Sequence, residues 1–321
     1  MGGLFGGKGI FVALTYKCNA VCKKCMTRCH KNRNSDMPAS LLKILFTRLK
    51  DSVFNGVVSV GSGEPLLYDG LEYFISSILS INSNISLRIL SNGANFHKGL
   101  PENFFSPRIK WGITLDAFTQ ENLSGFQYGI DIERVKDNIR GVAAEHGAEC
   151  MYLNYTLNSK NYHELPEFCR FAAGLGVSEL YATELKIYEG FEERLESFRL
   201  PRNDEVCAAL HEAEEILRSA GISDRGIHIY SPPVKFACFR RGRAYPVIDV
   251  DGSVSLCSGR EDIYAGNIAD DNIATAWEEM SRTVNPSEFC VMCHSSRLKN
   301  GSYTLPGVID ASEVSRQIFP S

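Results

Sequence analysis

Leu14-Thr15-Tyr16-Lys17-Cys18-Asn19-Ala20-Val21-Cys22-Lys23-Lys24-Cys25 places three thiols at C-x3-C-x2-C spacing directly after a short apolar run. Three cysteines so spaced can close on one metal centre and leave its fourth position open. Structural zinc takes four ligands in a closed tetrahedron, and a four-iron cluster also takes four, normally all cysteine. A triplet without a fourth ligand therefore favours a cubane whose last iron is reserved for another molecule. Two other readings stay open on spacing alone. Cys29 follows Cys25 by four positions, so a Cys18/Cys22/Cys25/Cys29 zinc knot is conceivable. An unligated buried trio is the other, since free cysteine packs as a small hydrophobe.

The rest of the composition narrows the class. The chain has 321 residues, long enough to bury a substantial core. Hydrophobic residues make up 44% and charged residues 22%, as in ordinary globular proteins. A net charge of −4 and no basic run beyond Lys23-Lys24 and Arg240-Arg241 argue against a nucleic-acid partner. No apolar stretch approaches the roughly 18 residues of a membrane span, and Met1-Gly2-Gly3-Leu4-Phe5-Gly6-Gly7-Lys8 lacks a signal-peptide layout. Eleven cysteines in such a chain read as metal or redox chemistry in a reducing, cytoplasmic compartment rather than as a disulfide frame.

From Gly9 to about Thr183, β-rich runs alternate with helical patterns. The predicted strands are Ile10–Thr15, Gly56–Val60, Ser86–Leu90, Lys110–Leu115, Met151–Leu157 and Glu179–Ala182. Helical periodicity covers Pro38–Asp51, Leu71–Leu79, Ile132–His146, Glu164–Leu175 and Arg202–Ala220. Six strand-then-helix units predict a parallel sheet with helices outside, two short of a closed eight-unit barrel. Gly221-Ile222-Ser223-Asp224 reads as a boundary, dividing the chain at residues 1–222 and 223–321. The second part is Gly-rich, bears cysteines and lacks clear helix–strand alternation. Ligands of parallel α/β sheets bind at the carboxyl ends of the strands, and the cysteine triplet follows the first strand's end.

Further motifs sit at the next strand ends. The second strand runs into Val60-Gly61-Ser62-Gly63-Glu64-Pro65, a glycine-rich turn through which backbone can approach a ligand closely. The third ends Leu90-Ser91-Asn92-Gly93 and the fourth Gly112-Ile113-Thr114-Leu115-Asp116. On the fifth, period-2 alternation puts Cys150, Tyr152, Asn154 and Thr156 on one face. Each alone reads as a turn or strand cap.

Together, in this order, they resemble the radical S-adenosylmethionine (SAM) superfamily, and the motifs cover nearly the whole chain. The resemblance implies a partial (βα)6 barrel. It implies that Cys18, Cys22 and Cys25 hold a [4Fe-4S] cluster whose open iron is chelated by SAM, and that the reduced cluster cleaves SAM to a 5′-deoxyadenosyl radical. Ser62-Gly63-Glu64-Pro65 stands where the family has Gly-Gly-Glu-Pro against the SAM amino group, with Ser62 a departure. By the same resemblance Gly63, Glu64, Ser91, Thr114, Asp116 and Asn154 bind SAM. A second departure is Lys24, where the family carries an aromatic residue near the adenine. Its ammonium is expected to snorkel to solvent or to meet the SAM carboxylate.

The later cysteines form a second group: Cys238, Gly252 and Cys257 at C-x13-G-x4-C, then Cys290-Val291-Met292-Cys293. Four thiolates saturate one zinc or one cluster. The layout resembles the Twitch (half-SPASM) domain of radical SAM enzymes, which implies an auxiliary [4Fe-4S] cluster on Cys238, Cys257, Cys290 and Cys293, with no open iron. Of the remaining thiols, Cys169 and Cys207 read as helix packing and Cys150 as lying below the ligand. Cys29 is the candidate hydrogen-atom donor. Asp116, Glu64, Asp249 and Asp251 are candidate proton acceptors, the last two expected to be solvated turn carboxylates.

The expected function is hydrogen abstraction from a peptide or small natural-product substrate, leading to epimerisation, dehydrogenation or cross-linking. A flavodoxin- or ferredoxin-type donor would supply the electron. Only about ten residues precede the first strand, which argues against an N-terminal peptide-recognition domain. The alternatives are a nucleotide or cofactor-precursor substrate, and a zinc-stabilised binding or scaffold protein.

Overall fold

The computed structural model describes residues 9–25, 34–185, 187, 192–222, 227–228, 246–255 and 264–283. Chain order begins with β1 (Gly9–Ala13), β2 (Val21–Cys22), α1 (Ala39–Asp51), β3 (Val57–Gly61), α2 (Leu71–Ile81), β4 (Ser86–Ser91) and β5 (Ile109–Thr114). It continues through α3 (Gln120–Ser124), β6 (Gln127–Tyr128), α4 (Ile132–His146), β7 (Met151–Leu157), α5 (Leu165–Leu175), β8 (Leu180–Glu184), α6 (Glu192–Leu195) and α7 (Asp204–Ser219). The last described elements are β9 (Ile227–His228), β10 (Val247–Ile248), β11 (Ser253–Ser255), β12 (Tyr264–Asn267) and α8 (Ile273–Thr283).

Local chemistry sets the helix limits. Asp131 caps α4 by accepting from the backbone N–H groups of Glu133 and Arg134. The helix turns Ile132, Val135, Ile139 and Val142 to the core at the 3–4 residue spacing of one helical face. Asn203 caps α7 through the N–H of Val206, and Gly176 ends α5 in the left-handed conformation.

The main sheet has ten strands in the order β12-β11-β10-β1-β3-β4-β5-β7-β8-β9. From β10 through β9 every neighbouring pair is parallel. The six predicted strands form its centre in chain order, giving the partial-barrel α/β fold. Strands β10 to β12 continue the sheet beyond β1, with β11 antiparallel to both of its neighbours.

One connection departs from the six strand–helix units. Between β4 and β5, residues 92–108 contain no α-helix, only a 3-10 turn at Glu102–Phe105. Glycine and proline at Gly93, Gly99, Pro101 and Pro107 break any helical run. Aromatic side chains take the helix's place. Phe96 and Phe104 lie on Trp111 of β5 with ring centroids at 5.3 and 6.0 Å, and the Trp111 indole N–H donates to Phe104 O at 2.9 Å. The second difference is α8, which the sequence pattern after residue 222 did not reveal. Trp277 on this helix is buried.

Candidate active site

The parallel register brings the strand ends level. Ala13 lies beside Gly61, Ser91 beside Ile113 and Thr114 beside Asn154. The cysteine segment leaves β1 and crosses this edge, fastened at several points. The Thr15 hydroxyl donates to Asp36 at 2.6 Å, as does the Lys17 ammonium. The short strand β2, which includes Cys22, pairs antiparallel with β6, so that Cys22 faces Gln127. The Lys23 N–H donates to Phe126 O at 2.9 Å.

The glycine-rich turn after β3 approaches this segment through its backbone. Gly63 has φ +80°, and a Cβ there would lie 2.5 Å from Thr15 O and 2.7 Å from Lys17 O. The Glu64 N–H donates to Lys17 O at 2.8 Å. The glycine is therefore required by contact with the cysteine segment itself, where a side chain would strike backbone. Ser62 carries φ +63°, so the residue departing from the family's glycine occupies a left-handed conformation that a Cβ disfavours.

Glu64 is fully buried. Its Oε1 accepts from the Ser91 hydroxyl at 2.9 Å and the Leu66 N–H at 3.2 Å, and its Oε2 from the Asn92 N–H at 2.8 Å. Burial raises its carboxyl from the ordinary value to about 7, against the opposing pull of these donors. Glu64 and Ser91, expected at SAM, thus spend their polar atoms joining the β3 and β4 turns. Asn92 carries the link onward. Its amide donates to Asn19 Oδ1 at 2.7 Å and lies 3.8 Å from the Cys18 sulfur. In the sequence, Asn92 is visible as a polar residue at a strand end, within Leu90-Ser91-Asn92-Gly93.

Thr114 and Asn154 are half-buried neighbours across β5 and β7. Their side chains have no hydrogen-bond partner among the described residues. Two positions further along each strand, Asp116 and Thr156 meet Lys24. The Lys24 ammonium donates to Asp116 Oδ1 at 2.5 Å and to the Thr156 hydroxyl oxygen. This corrects the expectation that Lys24 snorkels to solvent; a buried carboxylate inside the barrel, with 1% side-chain exposure, draws it inward.

The three thiols share one locality. Burial pushes the Cys22 thiol up; the Asp116 charge adds to this, Lys24 opposes it, and Cys25 and Cys18 add further. Cys18 is raised in the same direction, by desolvation first, while the Ala20 N–H favours its thiolate. A metal centre's positive charge deprotonates thiols that burial otherwise keeps neutral, and three thiols in one place are donors of the type that holds an iron–sulfur cluster. Among the described residues, no three His, Cys, Asp or Glu side chains gather around a single-ion position.

The other candidates are placed as follows. Cys169 is buried on α5, Cys207 is half-buried on α7, and Cys150 is buried at the amino end of β7. The Cys150 thiol donates to Gly147 O at 3.1 Å. Asp249, expected to be solvated, accepts from the Tyr16 hydroxyl: the parallel pairing of β10 with β1 brings this turn against the residues after β1. Asp251 accepts from the Ser253 N–H at 2.9 Å. Cys29, Cys238, Cys257, Cys290 and Cys293 lie outside the described residues.

Residues 12–172, half of the chain, match the radical SAM superfamily. The chain belongs to this superfamily, whose members are enzymes that use SAM. Solved structures with a similar fold include SuiB of Streptococcus suis bound to S-adenosylmethionine, 15% identical with a TM-score of 0.62, covering 95% of this chain and 72% of that one. Native anSMEcpe with bound AdoMet and a Cp18Cys peptide is 14% identical with a TM-score of 0.62, covering 96% of each chain. BtrN in complex with AdoMet and 2-DOIA is 15% identical with a TM-score of 0.53, covering 94% of this chain and 97% of that one. At these identities the likeness is one of fold. A curated relative, GTP 3′,8-cyclase of Aliarcobacter butzleri (strain RM4018), is 26% identical over 167 residues. The chain spans half the length of that relative, and the match covers half of this chain. No described helix is long and apolar enough to cross a membrane.

Proposed function

We propose that Cys18, Cys22 and Cys25 hold a [4Fe-4S] cluster beside which SAM binds, and that the enzyme abstracts hydrogen from a peptide or small natural-product substrate. The observation that carries this reading is the fastening of the three-thiol segment across the strand ends by the Gly63-Glu64 and Ser91-Asn92 turns. Bound and reduced, the cluster supplies the electron that splits SAM into methionine and a 5′-deoxyadenosyl radical. The chain's own residues shape the place for this event. Glu64 and Ser91 set the two turns, Gly63 admits the cysteine segment, and Thr114 and Asn154 offer SAM a hydroxyl and an amide that have no partner among the described residues. Asp116 contributes through Lys24.

In the same proposal, residues 1–222 form the barrel unit, and residues 223–321 carry an auxiliary cluster on Cys238, Cys257, Cys290 and Cys293. Cys29 is assigned as hydrogen-atom donor if the outcome is epimerisation. A flavodoxin- or ferredoxin-type protein in the cytoplasm delivers the electron. Peptide chemistry is supported by the solved complex of SuiB with its precursor peptide SuiA. A nucleotide substrate is the second reading, favoured by the similarity to GTP 3′,8-cyclase.

The test is anaerobic reconstitution, reduction with dithionite and an assay for 5′-deoxyadenosine. The expected result is about eight irons per chain, from two cubanes of four, with product formation abolished in Cys22→Ala. A colourless protein holding zinc instead would establish the scaffold reading.

A further inference from the structure

Lys24 stands between the second and third cysteines, on the turn closed by the Cys25 N–H donating to Cys22 O at 3.2 Å. It is the last residue before Cys25, after which the described chain resumes only at residue 34. Upstream, the cysteine segment is held by Glu64, Asn92 and the β2–β6 pair. For the Cys22–Cys25 turn, the described side-chain attachment to the barrel strands is the Lys24 ammonium on Asp116 and Thr156. Phe126, whose ring centroid lies 5.8 Å from that ammonium, flanks it.

The attachment is reciprocal. Asp116 has 1% side-chain exposure, and Lys24 is the one cation in ion-pairing range of it among the described residues. A carboxylate so buried requires a compensating charge. An aromatic residue at position 24 cannot provide one, so Asp116 and Lys24 form a matched pair. We infer that Lys24 and Asp116, with Thr156, are positioning residues that latch the Cys22–Cys25 turn to the carboxyl ends of β5 and β7, and so fix where the third cysteine presents its sulfur. This deepens the proposed function, since it concerns the site that reading assigns to the cluster.

The test is hydrogen–deuterium exchange on the full-length chain without its clusters, followed by reconstitution. In Lys24→Met the amides of Lys23 and Cys25 are expected to exchange about tenfold faster, while those of Phe168–Ala172 on α5 stay as in wild type. Lys24→Arg keeps the charge and is expected to hold the turn within about threefold of wild type. Because Lys24→Met leaves Asp116 buried without a partner and can unfold the chain, the uncharged pair Lys24→Met/Asp116→Asn is measured beside it. That variant is expected to stay folded with the same fast exchange confined to the turn. After reconstitution, Lys24→Met is expected to raise KM for SAM about tenfold with little change in kcat, and Lys24→Arg to restore it. Wild-type exchange at Lys23 and Cys25 in the double variant overturns the latch, as does acceleration spread evenly over α5. Exchange in the cluster-free chain does not depend on SAM cleavage. A wild-type protein that makes no 5′-deoxyadenosine would therefore refute the proposed function and leave the latch result standing.

Discussion

Glu64→Gln separates two roles of one buried carboxyl. In the wild type, Oε2 accepts the Asn92 N–H at 2.8 Å, while Oε1 takes the Ser91 hydroxyl and the Leu66 N–H. Glutamine reproduces one oxygen only. With its oxygen at the Oε1 position, its NH2 opposes the Asn92 N–H and leaves a buried donor unpaired, which costs about 1–3 kcal/mol. The carboxyl itself carries an opposing, pH-dependent term. Its value rises from 4.5 in the unfolded chain to about 7 in the fold. At about 1.4 kcal/mol per pH unit, ionising it in place costs about 3 kcal/mol. A raised folded value means that this stability is present below pH 4.5 and is lost as pH rises through about 7.

Glutamine does not titrate, so its profile lacks that loss. At pH 5 the variant is expected to be less stable than wild type by about 2 kcal/mol, and by pH 8.5 the two curves should meet or cross. Urea unfolding of the cluster-free full-length chain reads this directly. With m near 3 kcal/mol/M, the wild-type midpoint should fall by about 1 M more than that of Glu64→Gln over this range. Titrations elsewhere in the molecule are common to both chains and cancel in the difference. Parallel midpoint-versus-pH curves would refute the argument, because they would mean that Glu64 folds with an unshifted carboxyl.

Ser62→Gly relieves a φ of +63° and is expected to stabilise the chain by about 1 kcal/mol, seen as a higher thermal midpoint. Gly63→Ala drives a methyl group to within 2.5 Å of Thr15 O at φ +80°. It is expected to cost about 3 kcal/mol or more and to lower the iron retained on reconstitution. Thr114→Val and Asn154→Leu remove polar groups that have no partner among the described residues and should leave the unfolding midpoint nearly unchanged. Each is expected to weaken SAM binding about tenfold, measured by equilibrium dialysis on the reconstituted protein. Unchanged SAM affinity in both would remove these two residues from the site.

Much of the barrel was legible in the chain. Short β-branched runs such as Val57–Gly61 and capped amphipathic helices such as Ile132–His146 are local patterns, and each formed where its residues predicted. The C-x3-C-x2-C triplet, the Ser62–Pro65 turn and the Ser91-Asn92 turn were equally visible as strand-end motifs. The β4–β5 connection was not read in full, because Phe96 and Phe104 fill a helix's place only by stacking on Trp111. Helix α8 escaped because its environment is made by strands β10 to β12, whose pairing begins from the edge of β1, far away in sequence.

The sequence by itself determined the alternation of elements, because periodicity within a few dozen residues sets it, and it carried the strand-end motifs by which the chain resembles its superfamily. The tertiary structure alone decided what the polar residues near the thiols do. Lys24 and Asp116 are 92 positions apart, and nothing local shows that a lysine in an aromatic residue's place faces a carboxylate rather than water. Glu64 and Asn92 meet across 28 positions, so the bracing of two turns by one buried carboxyl is invisible in either segment alone. Such assignments depend on which groups are desolvated together, and desolvation is a property of the packed barrel, not of any segment of the chain.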